Sequence, residues 1–272
     1  MIIFPNAKIN IGLFVTEHRN DGFHNIETIF YPINLTDILE IQETPANQEI
    51  VLQNTGIHID VPFSQNLCHQ AYRKIKDNHD IPSVDMHLHK IIPPGSGLGG
   101  GSSDAAYTLL TLNKIFKLNL SQTILASYAE SLGSDCPFFL HNESAFAYEK
   151  GNRIIPVPIN LTGYYLIVIV PDIQVSTKFA YKQVKPHKNK ISLKDIITNM
   201  PVEKWKHNIV NDFEYHVFKQ YPLLEDIKKQ LYELNAEYAA MSGSGSGIYG
   251  IFKDKPDLSG KFNDMFVWQQ TL

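Results

Sequence analysis

The most informative segment of the sequence is 93–106, which contains the run PPGSGLGGGSSDAA. Residues 84–89, just before it, alternate between apolar and polar side chains, which is the period of a half-buried strand. Residues 105–116, just after it, place apolar side chains at the spacing of a helix. The pattern predicts a strand, a glycine-rich loop and a helix whose start is capped by Ser102 and Ser103.

Five of the seven residues from 95 to 101 are glycines, which have no Cβ atom to keep a ligand away from the backbone. The first amides of a helix have no acceptor within the helix, and they lie at the positive end of its dipole. A glycine-rich loop that leads into a helix therefore offers a site for an anion, and phosphate is the most natural one.

Two common phosphate motifs do not fit this loop. The Walker A motif requires a lysine just before the Ser or Thr that opens the helix, and this loop contains none. The Rossmann motif is matched by Gly95, Gly97 and Gly100, but it requires a strand where the sequence predicts a second helix, capped by Ser121. A flexible linker is also disfavoured, because the loop lies between a strand and an apolar helix.

The composition limits the class of protein. The chain has 272 residues, 43% of them hydrophobic, which suits two modest domains or one large domain. A net charge of −4 gives no basic surface for nucleic acid or a membrane, and the apolar stretch at 164–170 is too short to span a bilayer. Its two cysteines, Cys68 and Cys136, form no C-x-x-C pair. With no signal-peptide pattern at the N-terminus, we expect a reduced, cytoplasmic protein without a cysteine-based metal site.

Hydrophobic patterning predicts both strands and helices along the whole chain. Further strands are predicted at residues 2–4, 7–15, 37–43, 49–53, 145–148, 153–157, 164–170, 238–241 and 248–252. Further helices are predicted at residues 65–76 with Ser64 as the N-cap, from Ser121 to residue 132, from Ser192 onward, and within 211–234 with an interruption near Pro222. The basic segment 182–190 is predicted to be solvated.

Several residues have both a structural and a functional interpretation. Lys8 is either a solvent-facing strand residue or a functional cation, and Phe23 lies either in the core or in a binding site. Asn66 is either a helix cap or a ligand contact. Asp135, which precedes a proline and two phenylalanines, is either a structural cap or a catalytic carboxylate. The residue types alone leave these alternatives open.

Three segments together resemble the signatures of the GHMP kinases, which act on galactose, homoserine, mevalonate and phosphomevalonate. These segments are Pro5–Asn10, Pro93–Ala106 and Met241–Gly247, so the resemblance spans nearly the whole chain. Two others, Asp21–His24 and Gly133–Phe139, resemble the branch whose acceptor is a cytidine diphosphate-linked alcohol of the non-mevalonate isoprenoid pathway. That branch usually has tyrosine where this chain has phenylalanine at position 23. A ring that only stacks would survive this change, whereas a hydrogen bond from a hydroxyl would not.

The resemblance implies an α+β fold in two domains. The N-terminal domain, residues 1–155, would bind ATP and resemble domain 2 of ribosomal protein S5. The C-terminal domain, residues 156–272, would bind the substrate and pack helices on an antiparallel sheet. We therefore expect an ATP-dependent kinase that phosphorylates the 2-hydroxyl of a small-molecule acceptor. A kinase for another alcohol and a nucleotide sensor without turnover remain alternatives, and the oligomeric state is open.

The resemblance also implies roles for individual residues. Asp135 is expected to accept the proton of the acceptor hydroxyl, and Lys8 to stabilise the alkoxide that forms. For ATP, which is expected with Mg²⁺, the implied binding residues are Asn66, Lys90, Pro94, Gly95, Gly97, Leu98, Gly99, Gly100, Gly101, Ser102 and Ser103. For the acceptor, they are Asn10, Phe23, His24, Tyr181, Gly243 and Ser244. No residue is assigned as a metal ligand.

Overall fold

The structure is a computed structural model in which residues 1–45, 50–187 and 191–272 are described. Their contacts group them into two compact units that alternate along the chain. Unit 1 comprises Met1–Ala7, Asn34–Pro94 and Gly99–Glu143. Unit 2 comprises Lys8–Ile33, Gly95–Leu98 and Ser144–Leu272. The predicted domains are two continuous segments that meet after residue 155. Because each unit combines several segments of the chain, the units do not test that boundary.

The described residues form strands and helices in a mixed order, and none of these helices is long and apolar enough to cross a membrane. The strands are β1 (Ile2–Ile3), β2 (Asn6–His18), β3 (His24–Thr36), β4 (Ile38–Glu43), β5 (Ile50–Gly56), β6 (Val84–Lys90), β7 (Ala145–Glu149), β8 (Arg153–Pro156), β9 (Tyr165–Val170), β10 (Tyr238–Met241), β11 (Ile248–Phe252) and β12 (Phe266–Thr271). The α-helices are α1 (Leu67–Lys76), α2 (Gly100–Ile115), α3 (Gln122–Leu132), α4 (Cys136–His141), α5 (Thr177–Gln183), α6 (Leu193–Asn199), α7 (Glu214–Gln220) and α8 (Pro222–Glu233).

Unit 1 contains a sheet of order β1-β4-β6-β5. Strand β4 runs antiparallel to both β1 and β6, whereas β5 and β6 are parallel. The predicted alternation in β6 is confirmed, because Val84, Met86 and Leu88 are buried and the polar residues between them are more exposed. Helix α2 packs against α1, α3 and α4 and buries most of its residues.

Unit 2 contains most of a sheet of order β2-β3-β7-β8 and an antiparallel sheet of order β10-β11-β9-β12. Helix α8 packs on β10 and β11. The core of this unit includes Val15 of β2, Ile169 of β9 and Leu231 of α8, all of which are buried. The α+β class predicted from the sequence is confirmed.

Two predicted helix caps are wrong. Helix α1 begins at Leu67 and is capped by the side chain of Asn66, which accepts a hydrogen bond from the backbone N–H of Cys68 at 2.9 Å. Ser64 instead lies in a short 3₁₀ segment. Helix α2 begins at Gly100, so Ser102 and Ser103 lie inside its first turn. The residue before it, Gly99, has a φ of +75°, and this left-handed conformation turns the loop into the helix without a side-chain cap.

Two strands were not predicted from the sequence. Strand β3 buries Ile26, Ile29 and Phe30, which do not alternate, and Pro32 interrupts its pattern. Strand β12 lies at a sheet edge and is only partly buried, so its pairing with β9 defines it. The prediction at 49–53 corresponds to β5, with Glu49 outside the described residues. In the basic segment 182–190, residues 188–190 also lie outside them.

Both cysteines are expected to be unreactive in the folded protein. Cys68 and Cys136 are free and buried. Burial raises the pKa of Cys136 to about 12 and that of Cys68 further, and the thiolate is the reactive form. Near neutral pH we expect a thiol-reactive chromogenic disulfide to leave the native protein unmodified and to titrate both thiols in denaturant. Rapid modification of the native protein would contradict this burial.

Candidate active site

The first turn of α2 presents an anion site in unit 1. Gly99 precedes the turn, and the N–H of Ser103 is already bonded to the carbonyl of Gly99 at 2.9 Å. The amides of residues 100–102 are the helix donors that in general have no acceptor within the helix. Gly101 is exposed and Ser102 is half-buried, so this end of the helix is accessible. The arrangement can bind phosphate oxygens, as the glycine-rich loop predicts.

A buried ionic cluster lies beneath that turn. The Lys90 ammonium donates to Asp104 Oδ2 at 2.7 Å and also to Asp37. A Cβ atom on Gly100 would lie 2.9 Å from Lys90 Nζ, so the backbone of the first turn rests directly on this side chain. Asp37 Oδ1 in turn accepts hydrogen bonds from the N–H groups of Ile91 and Ile92. The cluster therefore ties the end of β6 to the start of α2.

Burial and charge act in opposite directions on this cluster. Burial alone would lower the pKa of Lys90, but the carboxylates of Asp104 and Asp37 outweigh it and raise that pKa. Burial raises the pKa of Asp104 to about 7, with Asp37 adding to the rise and Lys90 opposing it. The sequence suggested Lys90 as a nucleoside contact and did not suggest its two carboxylate partners, which lie 53 and 14 positions away along the chain.

Asp135 lies close to the start of α2 within unit 1. It occupies the N-cap position of α4, yet among the described residues its side chain accepts no capping hydrogen bond. A Cβ atom on Gly133, two residues before Asp135, would lie 3.8 Å from Ser102 Oγ. Ser102 also contacts Cys136, the residue after Asp135. The capping interpretation of Asp135 is therefore wrong, whereas Asn66 does cap α1.

Lys8 in unit 2 is buried, so the solvent-facing interpretation is wrong. Its ammonium donates to Asn10 Oδ1 at 2.5 Å and to the carbonyl of Gly97 at 2.8 Å. The ring of Phe30 lies 5.2 Å from the ammonium nitrogen. The backbone N–H of Lys8 also donates to the carbonyl of Leu98 at 2.9 Å. The hydrogen bonds to Asn10 and to Gly97 thus hold this charged side chain against the glycine-rich loop.

The second glycine cluster meets the same loop in unit 2. Ser242 Oγ donates to the carbonyl of Gly97 at 2.9 Å and accepts from the N–H of Asn10 at 3.1 Å. A Cβ atom on Gly97 would lie 2.0 Å from the carbonyl oxygen of Ser242. Three segments singled out in the sequence, represented by Lys8, Gly97 and Ser242, are therefore in direct contact within one unit.

Two residues that the sequence did not suggest hold the second glycine cluster in place. Asn211 Nδ2 donates to the carbonyls of Met241 and Gly243 at 2.8 and 2.7 Å. Glu214 accepts from the N–H of Met241 at 2.8 Å and from Lys228 at 2.6 Å. Neither residue lies in a motif that the sequence analysis identified, and both act on residues about 30 positions away along the chain.

The predicted acceptor-binding residues include an aromatic group in unit 2. The rings of His24 and Tyr181 are stacked with centroids 5.1 Å apart, and Tyr181 packs on the core residue Phe213. Phe23 is 56% exposed, so its assignment to the core is wrong, and the Lys150 ammonium lies 5.1 Å from its ring. Burial lowers the pKa of His24, as does nearby His18, which favours a neutral imidazole near pH 7.

The remaining predicted residues lie in the two glycine loops. Gly95 has a φ of +71°, and no described heavy atom lies within 4 Å of the Cβ it would carry as alanine. Leu98 is fully buried. Ser244 Oγ lies 3.0 Å from Thr177 Oγ1. Pro94 is exposed at the start of the loop. These positions keep their assignment as predictions.

Comparisons with known proteins give the chain its family. Models of the GHMP kinase N-terminal and C-terminal domains match residues 66–143 and 199–265. The 4-diphosphocytidyl-2-C-methyl-D-erythritol kinase of Bacteroides fragilis is 48% identical over 274 aligned residues, covering 100% of both chains. The same enzyme of Parabacteroides distasonis is 46% identical, again over 100% of both.

A solved structure agrees with these relatives. The crystal structure of 4-(cytidine 5'-diphospho)-2C-methyl-D-erythritol kinase matches with a TM-score of 0.78 and 30% identity, and covers 92% of this chain and 90% of that one. The glycine-rich loop lies in the segment that the N-terminal model matches, and the second glycine cluster lies in the segment that the C-terminal model matches. The chain therefore belongs to the GHMP kinase family.

Proposed function

We propose that the chain transfers the γ-phosphoryl group of ATP to the 2-hydroxyl of 4-diphosphocytidyl-2-C-methyl-D-erythritol. Phosphoryl transfer requires positioning and the stabilisation of charge on phosphate oxygens. The observation that carries the proposal is the buried Lys8 ammonium, held on the carbonyl of Gly97 in the glycine-rich loop. Full-length similarity to the Bacteroides fragilis enzyme supports the choice of acceptor.

In this proposal ATP binds through the glycine-rich loop. The amides of the first turn of α2 would hold its phosphates, and Asn66 and Lys90 would lie near the nucleoside. Mg²⁺ would arrive with ATP as part of the substrate. The net charge of −4 and two free cysteines support a small-molecule partner and a reducing, cytoplasmic location.

The two proposed catalytic residues have complementary charges. The carboxylate of Asp135 would take the proton of the 2-hydroxyl as that oxygen bonds to the γ-phosphorus and ADP leaves. The ammonium of Lys8 would stabilise the negative charge that forms on the attacking oxygen. The side chain of Asp135 is half-buried and makes no capping hydrogen bond to α4 among the described residues.

The direct test is an ATP-consumption assay with the diphosphocytidyl alcohol and identification of the phosphorylated product. Homoserine and mevalonate serve as control acceptors. We expect turnover with the diphosphocytidyl alcohol alone. Turnover with a control acceptor would reassign the enzyme to another alcohol, and ATP binding without turnover on any acceptor would indicate a sensor.

Tyr181→Ala is expected to raise KM for the diphosphocytidyl alcohol about tenfold or more, because stacking is worth about 1–3 kcal/mol per base. KM for ATP should not change, since Tyr181 is not among the residues proposed to bind ATP. Tyr215→Ala is the matched control, because Tyr215 also contacts a histidine ring, His216, but is 73% exposed. Equal KM values for the two variants would mean that Tyr181 packs in the core and does not contact the acceptor.

Discrimination between cytosine and uracil is expected to depend on His24. A neutral imidazole offers one donor and one acceptor, which can pair with a base edge, whereas stacking on a ring is tolerant of the base. A uridine analogue of the acceptor should therefore be a poor substrate, as measured by kcat/KM. Equal use of the cytidine and uridine acceptors would refute base recognition at His24 while leaving the kinase activity itself untouched.

A further inference from the structure

We propose that Thr28 is a positioning residue for Lys8, because its hydroxyl sets which atom of the Asn10 amide faces the Lys8 ammonium. The inference rests on the proposed function, in which Lys8 stabilises the attacking oxygen. All of the residues that carry it lie in unit 2, on strands β2 and β3.

The hydrogen bonds around Thr28 leave one consistent assignment of protons. Thr28 Oγ1 lies 2.6 Å from the carbonyl oxygen of Gly12, which can only accept, so the single hydroxyl proton points there. The contact of 2.9 Å between Thr28 Oγ1 and the Asn10 amide must then be donated by Asn10 Nδ2. Asn10 Oδ1 consequently faces Lys8 Nζ, at 2.5 Å.

The reverse orientation of the amide is unfavourable at both ends. It would place the NH₂ group of Asn10 against the ammonium of Lys8, two donors facing each other. It would also place Oδ1 against the oxygen of Thr28, whose proton is used by Gly12. Thr28 therefore adds to the energy difference that keeps the oxygen of Asn10 on Lys8, and it acts on the ammonium only through the Asn10 amide.

Packing alone does not account for a threonine at this position. Thr28 is fully buried in the middle of β3, opposite Ala147 of β7. Valine has nearly the same shape, is favoured in strands and carries no hydroxyl that must be desolvated. Gly12 has a φ of +69° within β2 and presents its carbonyl to the hydroxyl. The hydroxyl thus has a partner on each side, as a buried polar group that orients its neighbours requires.

Loss of this orientation is expected to affect the chemical step more than nucleotide binding. Lys8 would keep its hydrogen bond to the carbonyl of Gly97, while the Asn10 amide would no longer be held with its oxygen toward the ammonium. Small displacements of a catalytic group lower kcat, whereas affinity for ATP depends on other contacts.

The test compares Thr28→Val, which keeps the shape, with Thr28→Ser, which keeps the hydroxyl. We expect Thr28→Val to lower kcat about tenfold or more with KM for ATP unchanged, and Thr28→Ser to restore kcat to within about threefold of the native enzyme. Thr28→Ala is measured in parallel, so that the result does not depend on one variant folding. Thermal unfolding of each variant shows whether the loss of kcat is separate from a loss of stability.

A double-mutant cycle with Asn10→Ala separates positioning from packing. If Thr28 acts through the Asn10 amide, Thr28→Val should have no further effect on kcat once that amide is absent. Additive losses, a native kcat in Thr28→Val, or a Thr28→Ser enzyme as slow as Thr28→Val would each overturn the inference. Lys8→Met is the reference variant. If Lys8→Met keeps native kcat, the proposed catalytic role of Lys8 is wrong. If Lys8→Met is inactive and Thr28→Val has native kcat, only the proposed role of Thr28 is wrong.

Discussion

Replacing Asp135 by asparagine is expected to lower kcat by about 10²–10⁴-fold, the range typical of a lost general base. The fold should survive, because Asp135 makes no capping hydrogen bond among the residues that the structure describes and is only half-buried at the start of α4. Affinity for ATP should also survive, since the proposed phosphate donors are backbone amides. Steady-state kinetics, ATP titration by calorimetry and thermal unfolding measure the three quantities separately.

Asp195→Asn is a suitable control for that experiment. Asp195 is exposed and lies in the first turn of α6, so its substitution makes the same chemical change at another helix start. We expect native kcat in this variant. Near-native kcat in Asp135→Asn as well would show that Asp135 is structural and that another group accepts the proton.

Gly97→Ala is expected to destabilise the protein and to lower kcat together. The new Cβ atom would lie 2.0 Å from the carbonyl oxygen of Ser242 and 2.9 Å from its carbon, so the backbone of one of the two glycine loops must move. The φ of +75° adds about 1–2 kcal/mol of strain for a residue with a side chain. Overpacking of a close contact typically costs about 1–3 kcal/mol more. Because the carbonyl of Gly97 also holds Lys8, the same shift disturbs the proposed catalytic cation.

Gly163→Ala separates the clash from the strain. Gly163 has a φ of +88°, and no described heavy atom lies within 4 Å of the Cβ it would gain. Urea denaturation should show only the cost of the left-handed backbone for Gly163→Ala and a clearly larger loss for Gly97→Ala. Equal losses of unfolding free energy in the two variants would mean that the loop containing Ser242 moves away from the new Cβ atom without a measurable loss of stability.

The features that could be predicted from the sequence depend on neighbours in the chain. Strand β6 alternates, the glycines of residues 95–101 follow it, and the apolar period of α2 comes next, so each signal lies within one short window. Lys8 and Asp135 were assigned through motifs of a few residues. Local patterning was sufficient for β6, the glycine-rich loop and α2, whereas the α+β class followed from the resemblance to the GHMP kinases. The catalytic roles of Lys8 and Asp135 stay predictions.

The features that could not be predicted depend on partners far along the chain. Lys90 forms ion pairs with Asp37 and Asp104. The proposed role of Thr28 depends on its hydrogen bonds with Gly12 and Asn10 on the neighbouring strand. Strand β3 fails the period-2 test because adjacent residues, Ile29 and Phe30, are both buried. The cap of α2 was misplaced because a left-handed glycine replaces the side chain that normally signals a helix start.

The interleaving of the two units has a consequence for synthesis of the chain. Residues 8–33 belong to the unit whose other main part begins at Ser144. Phe30 of β3 pairs with Ala145 of β7, a separation of 115 residues. At about 5–20 residues per second on the ribosome, β3 leaves the exit tunnel roughly 6–23 s before its partner strand does. During that interval one edge of β3 has no partner strand, so the nascent chain is a candidate client for chaperones that shield apolar strands.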